Sequence, residues 1–258
     1  MITRRAFSAT IAAGFASSLL DFGVNARAAE PARNIVMVHG LYADGSSWSD
    51  VIVPLQAAGM RVTAVQNPLT SFADDVAAVR RALSMQDGPT VLVAHSYGGM
   101  VASEAGVDPK VVALVYIAAR APDAGEDYSA LAKKFPTAPA SLGLVKVGDY
   151  LLLSEEAFLH DFANGVEPTK AHELYAVQAP NVASLSATAK TTVAAWRSKP
   201  SWYAVSKQDR TINPDFERFM AKRMKATTIE IDAGHLSLVS HPQEVKNLIL
   251  EAAGRGTA

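Results

Sequence analysis

An apolar run that ends at a serine between small residues constrains this chain more than any other feature. Thr90–Ala94 is apolar and rich in β-branched residues, and it leads directly into His95-Ser96-Tyr97-Gly98-Gly99 before a helical pattern begins. The small residues Ala94 and Gly98, two positions to either side of Ser96, permit a sharp strand-to-helix turn. The pattern G-x-S-x-G thus occurs as A-H-S-Y-G. It predicts that Ser96 projects from the end of a strand, at the positive end of a helix.

Apolar runs alternate with amphipathic stretches along most of the chain. The remaining apolar runs are Ile35–Val38, Arg61–Val65, Val111–Ala118, Ser201–Val205 and Thr227–Ile231. Helical spacing of apolar residues, or a helix-capping pattern, is found at Ser47–Ala58, Ser71–Gln86, Asn213-Pro214-Asp215 and Gln243–Ala253. Short apolar strands that alternate with helices are typical of a parallel sheet covered on both faces. We therefore predict an α/β fold with a mostly parallel sheet.

The interval from about Pro122 to Ser198 breaks this alternation. It is rich in Ala, Leu and Pro and has helical patches at Ser154–Phe162 and Thr169–Val177. We predict a helical cap, at about residues 122–198, inserted between two strands of the sheet. The alternative is a group of extra helices that pack beside the sheet and have no role in substrate binding.

Composition and charge exclude several classes of protein. The chain has 258 residues, no cysteine, a formal net charge of −1 and no concentrated run of Lys and Arg in its body. Nucleic acid is not expected as a partner, because phosphate binding requires a concentrated basic face. The absence of cysteine excludes disulfides, thiolate metal sites and a cysteine nucleophile. No His and Asp residues have the spacing of metal ligands, so we expect neither a metal nor an organic cofactor.

The first 28 residues follow the order of a secretory signal. Thr3-Arg4-Arg5-Ala6-Phe7 opens an uncharged stretch that continues to Leu20, and Ala26-Arg27-Ala28 is a small-x-small triplet. A positive start, an apolar stretch and such a cleavage site define secretory signals, and paired arginines are similar to the twin-arginine class. The stretch is too short and too diluted by polar residues for a stable membrane span. We predict cleavage after Ala28, a mature domain of residues 29–258, and a periplasmic or secreted location. A retained anchor or a disordered tail is the alternative.

A serine hydroxyl is a weak nucleophile that needs a histidine base, and an acid must orient that base. At this kind of turn the expected chain order is serine, acid, histidine. His235 fits best among six histidines, because it lies in the short turn that follows the predicted strand Thr227–Ile231. The others fit other roles: structural positions for His39 and His95, the cap surface for His160 and His172, and a helix cap or surface position for His241.

The best candidate for the acid is Asp209. It follows the predicted strand Ser201–Val205 through a three-residue turn, so it lies at the same carboxyl edge of the sheet as Ser96. Ligands of open α/β sheets bind at this edge. Asp123 and Asp232 are rivals, although Asp232 is too close in sequence to His235 to reach back to it. The alternative is that Asp209 is an ordinary loop residue with no role in catalysis.

Two backbone N–H groups are expected to stabilise a negatively charged oxygen during the reaction. One is the N–H of Tyr97, the residue after the serine, and the other comes from the loop after the first strand. The N–H of Leu41 is the best candidate in that loop, since Gly40 allows the backbone to turn tightly.

These motifs together resemble the α/β-hydrolase superfamily. The matching segments are Val38-His39-Gly40, His95-Ser96-Tyr97-Gly98-Gly99, Asp209-Arg210-Thr211-Ile212 and Gly234-His235. The resemblance extends from about Asn34 to Ala253, and the compact start is similar to the small serine esterase and hydroxynitrile-lyase branch. It implies a sheet of about six strands flanked by helices. Members that act on haloalkanes or epoxides carry a carboxylate where this chain has Ser96, so those reactions are not expected.

The expected function is hydrolysis of a small or medium carboxylic ester through Ser96, His235 and Asp209, with an acyl-enzyme intermediate. Hydroxynitrile-lyase-like cleavage and cofactor-free perhydrolysis use the same three residues and stay as alternatives. The lyases also need a lysine near the substrate, and neither Lys199 nor Lys207 has the sequence context to supply it. A non-catalytic binding protein on this scaffold is a further alternative.

A small-molecule ester is the one partner that the sequence indicates, and nothing in it indicates an oligomeric state. Tyr42, Trp48, Tyr97 and Trp196 could line an apolar substrate pocket. Core packing is an equally good interpretation for each of these aromatic residues.

Overall fold

The computed structural model describes residues 31–256, and the predicted signal peptide of residues 1–28 lies outside them. Within the described residues the strands are β1 Asn34–Val38, β2 Arg61–Val65, β3 Thr90–His95, β4 Val111–Ile117, β5 Leu144–Val147, β6 Tyr150–Leu153, β7 Asn181–Val182, β8 Ser201–Ser206 and β9 Thr227–Ile231. Six of them form one sheet in the order β2-β1-β3-β4-β8-β9, and all neighbours pair in parallel. The predicted α/β fold with about six parallel strands is confirmed.

Helices flank this sheet. The α-helices of the described part are α1 Ser49–Ala57, α2 Phe72–Ser84, α3 Gly98–Ala105, α4 Tyr128–Ala132, α5 Glu155–Ala157, α6 Pro168–Ala176, α7 Leu185–Thr188, α8 Pro214–Met224, α9 Ser237–Ser240 and α10 Pro242–Ala252. Short 3-10 helices occupy Gly45–Trp48, Pro139–Gly143 and Ala195–Arg197, and a π-helical turn occupies Phe158–Phe162. α1 packs against α10, and α2 packs against α3.

The ends of two long helices follow from their sequence. The hydroxyl of Ser71 accepts a hydrogen bond from the Asp74 N–H at 3.1 Å and caps α2. Asn213 caps α8 by accepting from the Asp215 N–H at 2.9 Å, with Pro214 at the first helical position. The capping role predicted for Asn213 is confirmed.

The core of the sheet explains why its central strands are continuously apolar. Every residue of β1 and β3 is buried, because helices cover both faces of the strands. The register sets Val36 of β1 beside Leu92 of β3, and Leu92 beside Leu114 of β4.

The strand order creates a crevice at one edge of the sheet. The chain passes from β1 outward to β2 and then returns to β3 on the other side of β1. Loops that leave the carboxyl ends of β1 and β3 therefore diverge, and open α/β sheets bind ligands at such a switch point. Gly40 follows β1 and Ser96 follows β3 at this point.

The segment between β4 and β8 differs from the purely helical cap that the sequence predicts. It contains short helices, but β5, β6 and β7 form a separate antiparallel sheet. β5 and β6 form a hairpin with a two-residue loop at Gly148 and Asp149, and Gly148 has φ +59°. All four residues of β5 are exposed. Because neither face of the strand is buried, its sequence does not need the alternation of apolar and polar residues that marks a half-buried strand.

No helix among residues 31–256 combines the length and the apolarity that a membrane-spanning segment requires.

Candidate active site

Ser96 lies on a strained turn between β3 and α3. Its φ of +54° is in the left-handed region, which disfavours residues with a side chain. Gly98 permits the turn, since a Cβ there would lie 2.6 Å from the Val38 carbonyl oxygen. A Cβ on Gly99 would lie 2.3 Å from the Arg120 carbonyl oxygen. The turn is therefore pressed against the loops after β1 and β4, and only glycine fits at these two positions.

The backbone of Ser96 is held from both sides. Its N–H donates to the Ile117 carbonyl at 3.3 Å, and its own carbonyl accepts from the N–H groups of Arg120 and Gly99 at 2.9 and 3.0 Å. The residue is 4% exposed, so its side chain is almost completely shielded from solvent. These bonds to the end of β4 and to α3 fix the position of the hydroxyl relative to the sheet.

The loop after β1 passes directly beside the serine. A Cβ on Gly40 would lie 2.6 Å from the Ser96 Cβ and 3.1 Å from its Oγ. The N–H of Leu41, the next residue, and the N–H of Tyr97 donate to no backbone carbonyl within residues 31–256. The two donors singled out in the sequence are therefore free to bind an oxygen near Ser96.

His235 and Asp209 form a buried pair. His235 Nδ1 lies 2.5 Å from Asp209 Oδ2, and both side chains are 0% exposed. The other carboxylate oxygen of Asp209 accepts from the N–H groups of Thr211 and Ile212 at 2.6 and 2.8 Å. With three donors around it, this carboxylate is fixed in one orientation and holds the imidazole in turn.

A second contact attaches the His235 loop to the strand that ends at the serine. His95 Nε2 donates to the His235 carbonyl oxygen at 3.0 Å, and the two imidazole rings lie 4.5 Å apart. His235 Nε2 is buried and makes no hydrogen bond within the described part of the chain, so none joins it to Ser96 in this structure. Such bonds between a nucleophile and its base are often long in ligand-free enzymes.

The other histidines have different environments. His39 is held by two backbone groups, because its Nδ1 donates to the Gly40 carbonyl at 2.8 Å and its Nε2 accepts from the Asn67 N–H at 2.9 Å. Burial lowers the pKa of His39, and burial with the nearby His235 lowers the pKa of His95 well below its usual range. Both rings are therefore neutral parts of the framework. The remaining three are exposed or partly exposed: His160, His172 and His241.

The two rival acids do not contact His235. Asp123 pairs with Arg197, whose Nε lies 2.7 Å from Oδ1. Asp232 accepts from Gln208 Nε2 at 3.0 Å and lies 3.5 Å from Lys207 Nζ. Each rival thus has a cationic partner of its own.

Glu217 of α8 is a buried acid that the sequence analysis did not single out. It is 0% exposed, and its Oε2 accepts from the Ser206 N–H at 3.1 Å. Burial, followed by the negative charge of Asp209, raises its pKa well above the usual range. Glu217 is thus a buried carboxyl close to Asp209, and this environment favours its protonated form. The only sequence signal is its place on the apolar face of α8, next to Phe216.

A second carboxylate supports the turn from the other side. Asp75 of α2 is fully buried and accepts from the Tyr97 hydroxyl at 2.7 Å and from the Leu69 N–H at 2.8 Å. Burial and the nearby Asp75 raise the pKa of Tyr97, so its hydroxyl keeps its proton and remains a donor. The side chain of Tyr97 thereby anchors the residue whose N–H flanks Ser96.

The aromatic residues named as candidate substrate contacts occupy different places. Tyr42 lies in the loop after β1, 9% exposed and edge-on to Phe162 with ring centroids 6.2 Å apart. Trp48 is fully buried and packs edge-on against His95, and Trp196 donates to the Pro122 carbonyl at 3.2 Å. Core packing, the alternative left open for each, describes Trp48 and Trp196.

Phe162, in the segment between β4 and β8, lies against His235, and no sequence pattern marks it as a site residue. Its ring lies 5.2 Å from the His235 ring and 4.9 Å from the ring of Phe158. With Tyr42 and Phe158 it lines a small space beside Leu236, the residue after His235. Phe162 ends a π-helical turn, an irregularity that is frequent at functional sites.

Within residues 31–256, no three His, Asp or Glu side chains are grouped in a way that could hold a metal ion.

The arrangement defines a class of protein, and comparison with known proteins gives the family. A model described as the alpha/beta hydrolase family matches residues 35–248, so the chain belongs to this family. It is 27% identical to Methylesterase 7 of Arabidopsis thaliana, covering 86% of this chain and 97% of that protein. It is 24% identical to Esterase PIR7B of Oryza sativa subsp. japonica, with 86% and 96% covered. The solved structure of polyneuridine aldehyde esterase is similar with a TM-score of 0.72 at 20% identity, covering 85% and 98%.

These findings agree with the resemblance seen in the sequence. The chain is an α/β-hydrolase of the esterase-like branch, and the family match spans nearly all of the described residues.

Proposed function

We propose that this chain is a serine esterase that cleaves a carboxylic ester through Ser96, His235 and Asp209. The observation that carries the proposal is the buried pair of His235 and Asp209, whose His235 carbonyl accepts a hydrogen bond from the side chain of His95, the last residue of β3 before Ser96. The names of the relatives, which include methylesterases and an esterase, support an ester as the substrate.

The reaction has two halves in this proposal. Ser96 Oγ attacks the ester carbonyl carbon while its proton passes to His235 Nε2, which has no other partner among the described residues. The tetrahedral intermediate collapses, the C–O bond to the alcohol breaks, and the alcohol leaves with the proton from His235. Water then attacks the acyl-enzyme by the same route and releases the acid and free Ser96.

The role of Asp209 is to orient the imidazole and to stabilise its charged form. Because its second oxygen already accepts two backbone N–H bonds, the carboxylate keeps its position when His235 takes up a proton.

The N–H groups of Leu41 and Tyr97 bind the developing oxyanion. They are oriented by the backbone before substrate arrives, so no reorganisation is needed during the reaction, and each such donor is worth about 100-fold or more in rate. Gly40, the residue before Leu41, lies directly against Ser96.

Ester hydrolysis is favoured over a hydroxynitrile-lyase reaction by the positions of two lysines. Lys199 Nζ lies 3.4 Å from the Asp108 carbonyl oxygen, and Lys207 Nζ lies 3.5 Å from Asp232. Each is thus engaged with a partner outside the Ser96 turn. Cofactor-free perhydrolysis would use the same Ser96, His235 and Asp209 and is a side reaction in this proposal.

A panel of 4-nitrophenyl esters with acyl chains from acetate to decanoate tests the function. We expect hydrolysis of at least the shorter esters and a loss of about 10⁴-fold or more in Ser96→Ala, at an unchanged melting temperature. Ser84→Ala, an exposed serine at the end of α2, is the matched control and should behave as the parent. If Ser96→Ala hydrolyses the esters as the parent does, the proposal is wrong. Cyanide release from an aromatic cyanohydrin, assayed in parallel, would instead support the lyase alternative.

We also propose that residues 1–28 direct export through the twin-arginine route and are removed after Ala28, as the order of residues in that segment suggests. Replacing Arg4 and Arg5 together by lysine should retain the uncleaved chain in the cytoplasm of a bacterial host. The parent chain should appear outside the cytoplasm with Ala29 as its first residue. An uncleaved parent chain in the cytoplasm would contradict the proposal.

A further inference from the structure

Arg120 is a positively charged residue whose backbone lies beside Ser96. It follows β4 by three residues, and its backbone N–H donates to the carbonyl of Ser96 at 2.9 Å. Its side chain therefore leaves the backbone at the same edge of the sheet, next to the strained turn.

The guanidinium of Arg120 has no anionic partner within residues 31–256, and its buried Nε has no hydrogen-bond partner. Its Cζ lies 4.8 Å from the ring centre of Tyr128 and 6.0 Å from that of Tyr97. Every other arginine between residues 121 and 230 pairs with a carboxylate: Arg197 with Asp123, Arg210 with Asp161, Arg218 with Asp215 and Glu230, and Arg223 with Glu126. Arg120, which is half-buried, lacks such a partner among residues 31–256.

Arg120 opens onto a cleft of about 340 Å³ between the cap and the beginning of α8. The cap contributes residues 128–141, and the other wall is formed by residues 211–216, directly after Asp209. Its lining includes a second cation, Lys133, and no Asp or Glu. Thr211 also lines the cleft, and its buried Oγ1 has no partner among the described residues.

An unpaired guanidinium in a partly desolvated cleft is suited to an anionic ligand. Its planar N–H groups match a carboxylate in a two-point hydrogen bond, and removal of water strengthens that attraction. The absence of an acidic side chain in the lining leaves the charge available to a bound molecule.

We propose that this cleft binds a carboxylate carried by the substrate, so that the preferred substrates are hemi-esters that retain one free carboxylate. This inference rests on the proposed ester hydrolysis, and it names the class of ester. Arg120 binds the free carboxylate, Lys133 adds positive charge at the mouth of the cleft, and the ester carbonyl lies at Ser96.

The test compares mono-4-nitrophenyl glutarate with 4-nitrophenyl pentanoate, which has the same length but no charge. We expect kcat/KM for the glutarate to exceed that for the pentanoate by about tenfold to 100-fold, the range of a hydrogen-bonded charged contact. Arg120→Gln should reduce this ratio to about 1, and Arg120→Lys should give an intermediate ratio, because lysine keeps the charge but not the planar geometry. Arg218→Gln, an arginine on the outer face of α8, is the matched control and should leave the ratio unchanged.

A binding experiment separates this inference from the function on which it rests. Calorimetric titration of glutarate into Ser96→Ala requires no turnover, and binding should be lost when Arg120→Gln is added to that variant. Where Arg120→Gln does not fold, Arg120→Lys serves in its place and should weaken glutarate binding. If the pentanoate ester is hydrolysed as fast as the glutarate ester and glutarate does not bind, the inference is wrong. The esterase proposal then still stands. Glutarate binding without hydrolysis of either ester overturns the esterase proposal alone.

Discussion

Asp209 Oδ2 and His235 Nδ1 lie 2.5 Å apart with both side chains fully buried, although 26 positions separate them in the chain. In the proposed mechanism the carboxylate fixes which imidazole nitrogen carries the proton, so that Nε2 can accept the proton of Ser96. This relationship is the centre of the proposed mechanism.

Asp209→Asn should lower kcat by about 10³- to 10⁴-fold, because an amide in place of the carboxylate favours the wrong tautomer of His235 and does not stabilise its charged form. Steady-state hydrolysis of a short 4-nitrophenyl ester measures the effect, with the melting temperature as a check on folding. Asp232→Asn is the matched control, since Asp232 pairs with Gln208 and Lys207 instead. Equal activity of Asp209→Asn and the control would exclude Asp209 as the acid.

Gly40→Ala should reduce kcat by about 100-fold. The added Cβ would lie 2.6 Å from the Ser96 Cβ, so either the nucleophile or the Leu41 loop must move, and a displacement of about 1 Å can have an effect of this size. Gly88→Ala is the control, because the nearest atom to its added Cβ is 3.9 Å away. Activity of Gly40→Ala within a factor of two of the parent would contradict the close approach.

Glu217→Gln should change the pH dependence of stability. Burial raises the pKa of Glu217 in the folded chain well above its usual value. The group therefore does not destabilise the fold at a pH low enough to protonate it in both the folded and the unfolded chain. As the pH rises through the folded pKa, the parent loses stability and the amide variant does not. Urea unfolding from pH 4 to 9 should give similar stabilities for the two proteins at low pH and an increasing advantage for Glu217→Gln at high pH. Parallel curves across this range would mean that the pKa is not raised.

Much of the framework is predictable from the sequence, because local patterns determine it. Continuous apolar runs indicate buried strands, and the small residues Ala94 and Gly98 on either side of Ser96 indicate a sharp turn. The turn after Thr227–Ile231 similarly predicts that His235 lies at the edge that carries Asp209, because carboxyl ends of parallel strands meet at one edge.

The rest depends on contacts between segments that are distant in sequence. From the sequence, Glu217 is expected to be an ordinary polar residue of a helix. Only the packing of α8 against β8 shows that it is buried beside Asp209. Arg120 is one arginine after a strand, and its lack of a partner is a property of the assembled cleft. In the hairpin, β5 is fully exposed and β6 is only partly buried, so the pair carries little of the periodicity by which strands are recognised.

The most direct test of the central claim is covalent labelling of the purified parent chain with a fluorophosphonate, followed by mass spectrometry of its peptides. Such a probe reacts with a serine that an adjacent base has activated. We predict a single phosphonylated residue, Ser96, with loss of ester hydrolysis in proportion to labelling and no labelling of Ser96→Ala. An enzyme that hydrolyses esters while Ser96 remains unlabelled, or that is labelled at another serine, would contradict the account.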